Sequence, residues 1–412
     1  MGNRLKKIGI ILAIVGPGVI AAIAGNDAGG TATYSIVGAR FGYHMLWLLL
    51  LVGIALVVIQ EMCARMGVVT GKGLSDLIRE EFGVRWTLFA MLILLIANVA
   101  VTISEFAGIA ASLEIFGITR YLSVPIMAGV IWGLMTMGSY KAVERVFISI
   151  CFIYFSYIFS GLLARPDWGL AFHSLVVPTF EFNFDFIVIA IAMVGTTIAP
   201  WMQFYLQSSV VEKGIKPKQY KYQRWDVILG SILAVVIAMF IVIACAAVLH
   251  PRGIMIDEAR DAALALQPFA GNLAVFLFGL GLFASSTLGA SILPLSSAYA
   301  ICEAFGWENG ISKKFSEAPV FYTLYTILIV VGAGVVLLPN IHLIDIMIFA
   351  QTTNGVLFPF ILIFMLRLVN NKRLMGHYVN SRLNNLIAWA TAAILIVLTI
   401  LLLVATLAGH LS

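Results

Sequence analysis

Val194-Gly195-Thr196-Thr197-Ile198-Ala199-Pro200-Trp201-Met202-Gln203 interrupts an apolar stretch that runs from about Phe186 to Val211. Pro200 has no amide proton and clashes with the turn before it, and Gly195 and the paired threonines weaken the helix it would end. Backbone carbonyls are then left without helical donors at mid-membrane depth, where no water replaces them. Exposed carbonyls at that depth make a cation site. The first apolar stretch has a comparable interruption, Gly16-Pro17-Gly18 followed by Gly25-Asn26-Asp27-Ala28-Gly29-Gly30-Thr31. Broken hydrophobic segments at corresponding places in two halves of a chain mark a transporter's binding site.

The composition supports this frame. Hydrophobic residues make up 61% and charged residues 11% of the 412, against roughly 45–50% and about 25% in soluble domains. The chain is therefore expected to be an all-α polytopic membrane protein. Segments long enough to cross, at roughly 20 residues each, lie near 8–40, 44–68, 86–112, 121–138, 143–164, 186–211, 226–249, 272–303, 319–338, 343–368 and 384–408. That makes eleven helices, the first and sixth discontinuous. With the N-terminus inside, 20 of the 25 Lys and Arg residues fall on inner segments, so the positive-inside rule places the C-terminus outside. No cleavable signal is visible, because the first apolar stretch continues into polar sequence without an Ala-x-Ala-like site. A cytoplasmic (plasma) membrane location is expected.

Helices 1–5 and 6–10 then have opposite topology, which makes an inverted repeat over about 8–164 and 186–368, with the helix at 384–408 as an addition. The expected organisation is one transmembrane transporter domain over 1–412. Neither the outer loop near 165–185 nor the inner loop 212–225 is long enough to fold alone. The net charge of +5 is spread thinly over loops, which argues for topogenic charge and against nucleic-acid binding. Cys63, Cys151, Cys245 and Cys302 all fall in apolar segments without metal-ligand spacing, as packing residues do. No nucleophile–base pair or His/Asp cluster falls at mid-depth, so an enzyme is not expected. No cofactor and no obligate protein partner beyond the lipid bilayer is evident.

Two readings stand for Asp27. Counted from Ile8, it falls near the outer end of an uninterrupted span, as an interfacial loop residue; at a break it is an intramembrane acid able to hold a hard cation. The matching break at Pro200 favours the second. Thr196 and Thr197 offer hydroxyls, which in membrane helices also bond back to their own turn. The carbonyls from Thr196 to Ala199 are the stronger candidates. Gln351-Thr352-Thr353-Asn354-Gly355 is a polar cluster inside the tenth helix, suited either to the site or to helix–helix hydrogen bonding. Glu105 either lines an ion path or is a buried, hydrogen-bonded acid. Glu61 and Arg65, four residues apart, read as a plain ion pair, and Asp345 as a helix-start acid. The six histidines all lie in loops or near helix ends, which disfavours a proton relay through imidazoles.

These residues resemble the Nramp transporters of divalent transition metals. The resemblance covers nearly the whole chain: Gly16-Pro17-Gly18 through Phe41-Gly42-Tyr43 with Leu46-Trp47, Ile59-Gln60 through Gly71-Lys72 with Arg79-Glu80, Glu105-Phe106-Ala107-Gly108, Tyr205 through Ser209, Ser285-Ser286-Thr287, and Gln351 through Pro359-Phe360 with Leu374-Met375-Gly376. It implies eleven or twelve helices in a LeuT-like inverted repeat, in line with the 5+5 repeat plus one helix counted above. The departures carry the specificity. The family's Asp-Pro-Gly-Asn reads here as Asp27-Ala28-Gly29-Gly30, so the aspartate stays and the asparagine becomes Gly30. Its Ala-x-x-Met-Pro-His reads as Thr196-Thr197-Ile198-Ala199-Pro200-Trp201, so the methionine becomes Ala199. The family's second histidine on this helix reads as Gln207.

A thioether suits transition metals, whereas Mg²⁺ prefers oxygens and gives up water reluctantly. Losing the Asn and Met side chains enlarges the cavity for a partly hydrated ion, and losing both histidines matches a loss of proton coupling. The pattern resembles the Nramp-related magnesium transporter branch. The expected metal contacts are Asp27, Gly30, Thr196, Ala199 and Gln351, with Mg²⁺, or Mn²⁺, as transported substrate. Two charges moved down an inside-negative potential gain about 4.6 kcal/mol at roughly 100 mV, on the order of 10³-fold accumulation without a proton. The alternatives are a proton-coupled Mn²⁺ or Fe²⁺ transporter and, less well matched, a sodium-coupled amino-acid transporter of the same fold, in which Asp27 would repel the substrate carboxylate.

Overall fold

The computed structural model describes residues 18, 20, 21, 24–137, 155–181, 183–257, 259–264 and 272–409. The start of the first expected helix, most of the fifth, Cys151 and His410 lie outside the described residues. The chain is helical and contains no strand among those residues. In order, the helices are α1 (Ala28–Phe41), α2 (Leu46–Thr70), α3 (Leu74–Phe82), α4 (Val84–Glu114), α5 (Arg120–Met137), α6 (Phe155–Leu163), α7 (Trp168–Val176), α8 (Phe184–Thr197), α9 (Pro200–Glu212), α10 (Tyr220–Val248), α11 (Ala259–Leu264), α12 (Asn272–Phe305), α13 (Pro319–Val336), α14 (Leu343–Val369), α15 (Lys372–Met375) and α16 (Arg382–Gly409).

Eight helical stretches among the described residues are long and apolar enough to cross a membrane, and each coincides with an expected segment, α8 and α9 together forming one of them. The fourth expected segment is helical as the 18-residue α5. The first and fifth are described only in part. The linker after α2 forms α3, a short helix whose Leu74, Leu77 and Ile78 are buried on one face, as an amphipathic surface helix requires. Ile54, Leu92, Leu229, Val330 and Leu403 are exposed, an outward apolar surface that fits lipid rather than water. The core is continuous and draws on α1, α2, α4, α8, α9, α10, α12 and α14.

The backbones of α8 and α14 approach closely. A side chain on Gly195 would collide with the Gln351 carbonyl and the Gly355 amide, and one on Gly355 with the Ile191 carbonyl. Small residues that let backbones meet are the usual means of packing helices in lipid. Part of the Gln351–Gly355 cluster therefore serves helix packing, as one of its two readings expected. The ion pair is also present: Arg65 Nη2 lies 3.3 Å from Glu61 Oε2. Tyr220 on α10 donates to Glu61, and Arg65 donates to Asn380 before α16 and, at 3.3 Å, to the Val379 carbonyl. What reads as a local pair thus ties three parts of the bundle together. Asp345 stands in the first turn of α14, as a helix-start acid. Cys63, Cys245 and Cys302 are free and buried.

Candidate metal site at the two helix breaks

Both breaks are present. After helical residues 20 and 21 the chain passes through a turn at Ala24 and Gly25 and a bend at Asn26. It resumes as α1 with Asp27 as N-cap, extended at φ −65° and ψ −173°. Asp27 Oδ1 accepts from the Gly30 amide at 2.6 Å, the ordinary use of an aspartate at a helix start. Asn26 Nδ2 donates to the Ala234 carbonyl on α10 at 2.8 Å and anchors the bend.

In the sixth expected span, α8 stops at Thr197, Ile198 leaves helical geometry, Ala199 is extended, and α9 restarts with Pro200 in its first turn. Pro200 has no N–H for the Thr196 carbonyl, so the helix cannot continue through it. Ala199 is the N-cap of α9 and is 1% exposed.

The two breaks face one another. A Cβ placed on Gly30 would stand 2.7 Å from Thr196 Oγ1, 3.0 Å from the Gly25 carbonyl oxygen and 3.2 Å from Asp27 Oδ1. Three oxygens from two broken helices thus converge on a space that exists because residue 30 has no side chain. Gln351 on α14 closes the fourth side, its Nε2 donating to Asp27 Oδ1 at 3.1 Å and to Oδ2 at 3.3 Å. Asp27, Thr196 and Gln351 are 1%, 1% and 0% exposed, so the group is closed to solvent. Of the five expected contacts, Asp27, Gly30, Thr196 and Gln351 meet at one point, while Ala199 lies at the adjoining end of α9. The interfacial-loop reading of Asp27 does not describe this buried position.

Thr197 behaves differently from Thr196. Its hydroxyl donates back to the Met193 carbonyl at 2.7 Å and meets the Tyr34 hydroxyl at 2.8 Å. Met202 on α9 has its sulfur 3.6 Å from Gln60 Nε2. Among the described residues no group of three or more His, Cys, Asp or Glu gathers to hold a metal. The donors at the breaks are one carboxylate, carbonyls and a hydroxyl, together with an amide.

Glu105 belongs to this place as well. Gly108, one turn further along α4, lies against Ala28 and Ser286 with no room for a side chain. The first turn of α1 therefore rests on α4, and the Ala28 amide donates to Glu105 Oε2 at 3.2 Å. Glu105 Oε1 is buried and has no hydrogen-bond partner. Glu105 is legible in the sequence as an intramembrane acid. Its partner is not, because the contact depends on how α1 sits on Gly108.

A family model described as natural resistance-associated macrophage protein-like matches residues 18–405. A divalent metal cation transporter, MntH, of Caldanaerobacter subterraneus subsp. tengcongensis is 25% identical over 100% of this chain and 96% of its own length. The protein of the same name from Klebsiella pneumoniae subsp. pneumoniae is 27% identical over 97% of this chain and 95% of its own. Among solved structures, the fold is similar to that of the Eremococcus coleocola manganese transporter, at a TM-score of 0.75 with 21% identity, over 96% of this chain and 86% of that one. It is also similar to that of Mhp1, a nucleobase-cation-symport-1 family transporter, at a TM-score of 0.60 with 16% identity, over 95% of this chain and 92% of that one. The helical fold is thus similar to that of these two proteins, with interruptions in the first and sixth expected spans.

Proposed function

The chain belongs to the natural resistance-associated macrophage protein-like (Nramp) family, and from that premise we propose that it imports a divalent metal cation across the plasma membrane, Mg²⁺ foremost with Mn²⁺ also accepted. The ion travels partly hydrated, by alternating access. The N-terminus is inside and the C-terminus outside, and the inverted repeats cover about 8–164 and 186–368, followed by the helix at 384–408. Asp27 supplies the charge at the site. The Thr196 hydroxyl, carbonyls at the two breaks and Gln351 bind the ion directly or through retained waters.

One observation carries this reading: the oxygens of Thr196, Gly25 and Asp27 converge within 3.2 Å of the position a Gly30 side chain would take. Carboxylate, carbonyl and hydroxyl oxygens suit a hard ion. A thioether would add a soft ligand, and residue 199, where the family carries methionine, is Ala.

A second reading rests on its own observation. Glu105, a buried acid whose Oε1 has no hydrogen-bond partner, holds the Ala28 amide next to Asp27, where a proton-coupled Mn²⁺ or Fe²⁺ transporter could carry its proton. Proteoliposomes of the purified protein, holding a Mg²⁺ dye and a pH dye under an imposed inside-negative potential, separate the two. Mg²⁺ entry without acidification of the lumen supports uncoupled magnesium import. Mn²⁺ entry with acidification, and no Mg²⁺ entry, would replace it with the coupled reading.

A further inference from the structure

Gln351 and Asn354 stand one turn apart on α14, both 0% exposed. The Gln351 amide nitrogen is given to Asp27, and its oxygen accepts from Asn354 Nδ2 at 3.0 Å. Asn354 Oδ1 is buried and has no hydrogen-bond partner. A buried acceptor left unpaired costs about 1–3 kcal/mol, and an apolar residue on this face of α14 would avoid that cost. The arrangement also presents an N–H group, not an oxygen, towards the place where the three oxygens converge. A cation there is repelled by that group.

A half turn of each amide resolves the second problem. Rotation exchanges the oxygen and the NH₂ of an amide with little change in shape. Once turned, Gln351 Oε1 faces Asp27 and the converging oxygens, while its Nε2 points back along α14. Asn354, turned with it, receives that Nε2 on its oxygen, and its NH₂ takes the place the oxygen leaves. The Gln351–Asn354 hydrogen bond exists in both arrangements, so the exchange leaves their mutual bond intact. Only the group offered to the site changes.

We infer that Asn354 is a positioning residue that steadies Gln351 in two amide orientations, one holding the Asp27 carboxylate by N–H donation and one presenting an oxygen to a divalent cation. This rests on the reading that Asp27 and Gln351 face the transported ion. The ion is exchanged for a pair of hydrogen bonds to Asp27, so the carboxylate keeps a partner at every stage. Asn354 touches neither the ion nor Asp27 and acts through Gln351.

The test is equilibrium Mn²⁺ binding to the purified full chain in detergent, by titration calorimetry with Mg²⁺ as competitor. Wild type, Gln351→Ala, Asn354→Ala and the double variant form a cycle, with Asn354→Leu as a shape-conserving companion should the alanine variant fold poorly. Each single change is expected to weaken binding roughly tenfold, the worth of one hydrogen bond to a charged group. The double variant is expected to bind no more weakly than Gln351→Ala. Unchanged binding in both Asn354 variants would overturn the inference, and so would losses that multiply in the double variant, because a packing role would add independently. Failure of the wild type to bind either ion would remove the functional reading itself, a result distinct from the other two.

Discussion

Gly30 and Thr196 come together so that a single added carbon on Gly30 would stand 2.7 Å from the threonine hydroxyl. They lie 166 residues apart in sequence, one in each broken span. The site is thus defined by a missing side chain as much as by the groups that line it.

Gly30→Ala is therefore expected to fill the site. Overpacking costs about 1–3 kcal/mol, roughly a 5- to 150-fold loss if it falls on ion binding. Divalent uptake in proteoliposomes should drop by that factor while the protein stays monodisperse. Wild-type uptake by this variant would place the ion elsewhere.

Asp27 has two duties that different substitutions separate. Asparagine is as good an N-cap as aspartate, so Asp27→Asn should keep the bond to the Gly30 amide and the stability of α1 while losing the charge. Asp27→Ala should lose both, with about 1 kcal/mol of stability gone along with the cap. Uptake is expected to fall to background in each, and the melting temperature to fall in the alanine variant alone. Substantial uptake by Asp27→Asn would show that the carboxylate charge is not what holds the ion.

The breaks, the segment boundaries and most of the site are legible because the chemistry that makes them is local. Pro200 and the glycines around Asp27 forbid a continuous helix whatever surrounds them, and the apolar runs match membrane thickness. The role of Glu105 is not legible, because α4 is apolar almost all round and its sequence does not say which face meets α1. Gly108 decides that, through contact with Ala28 and Ser286. The polar cluster at Gln351 answers both of its sequence readings at once: Gly355 packs against α8, while Gln351 meets Asp27. Thr196 and Thr197 are neighbours of one type, yet one faces the Gly25 carbonyl and the other bonds back to Met193. That split follows from where the helix ends, which sequence sets only to within a residue or two.

The Glu61–Arg65 pair offers a test of packing away from the site. Side chains of both are under a tenth exposed, so removing one partner strands a buried charge, at a cost of about 3–5 kcal/mol. Arg65→Met is expected to lower the melting temperature sharply. The double variant Glu61→Gln with Arg65→Met should recover much of the loss, since it leaves no unpaired charge. Additive losses in thermal melts would mean that the contacts to Tyr220 and Asn380, not the pair, carry the stability.

Glu105→Gln decides between the two transport readings more directly than any change at the ion itself. A glutamine keeps the shape and can still accept from the Ala28 amide, so the seat of α1 on α4 should survive. It has no carboxyl proton to take up or release, so a proton carried at this position is gone. If import is uncoupled, as proposed, Glu105→Gln should carry Mg²⁺ at close to the wild-type rate, and the lumen pH should stay flat in both proteins. If import is coupled, the wild type should acidify the lumen as Mn²⁺ enters, and the variant should lose that acidification. The pair of dyes in one vesicle preparation reads both quantities. A variant that loses uptake, beside a wild type that moves no protons, would assign Glu105 to holding the first turn of α1 in place for Asp27, a duty apart from proton transfer.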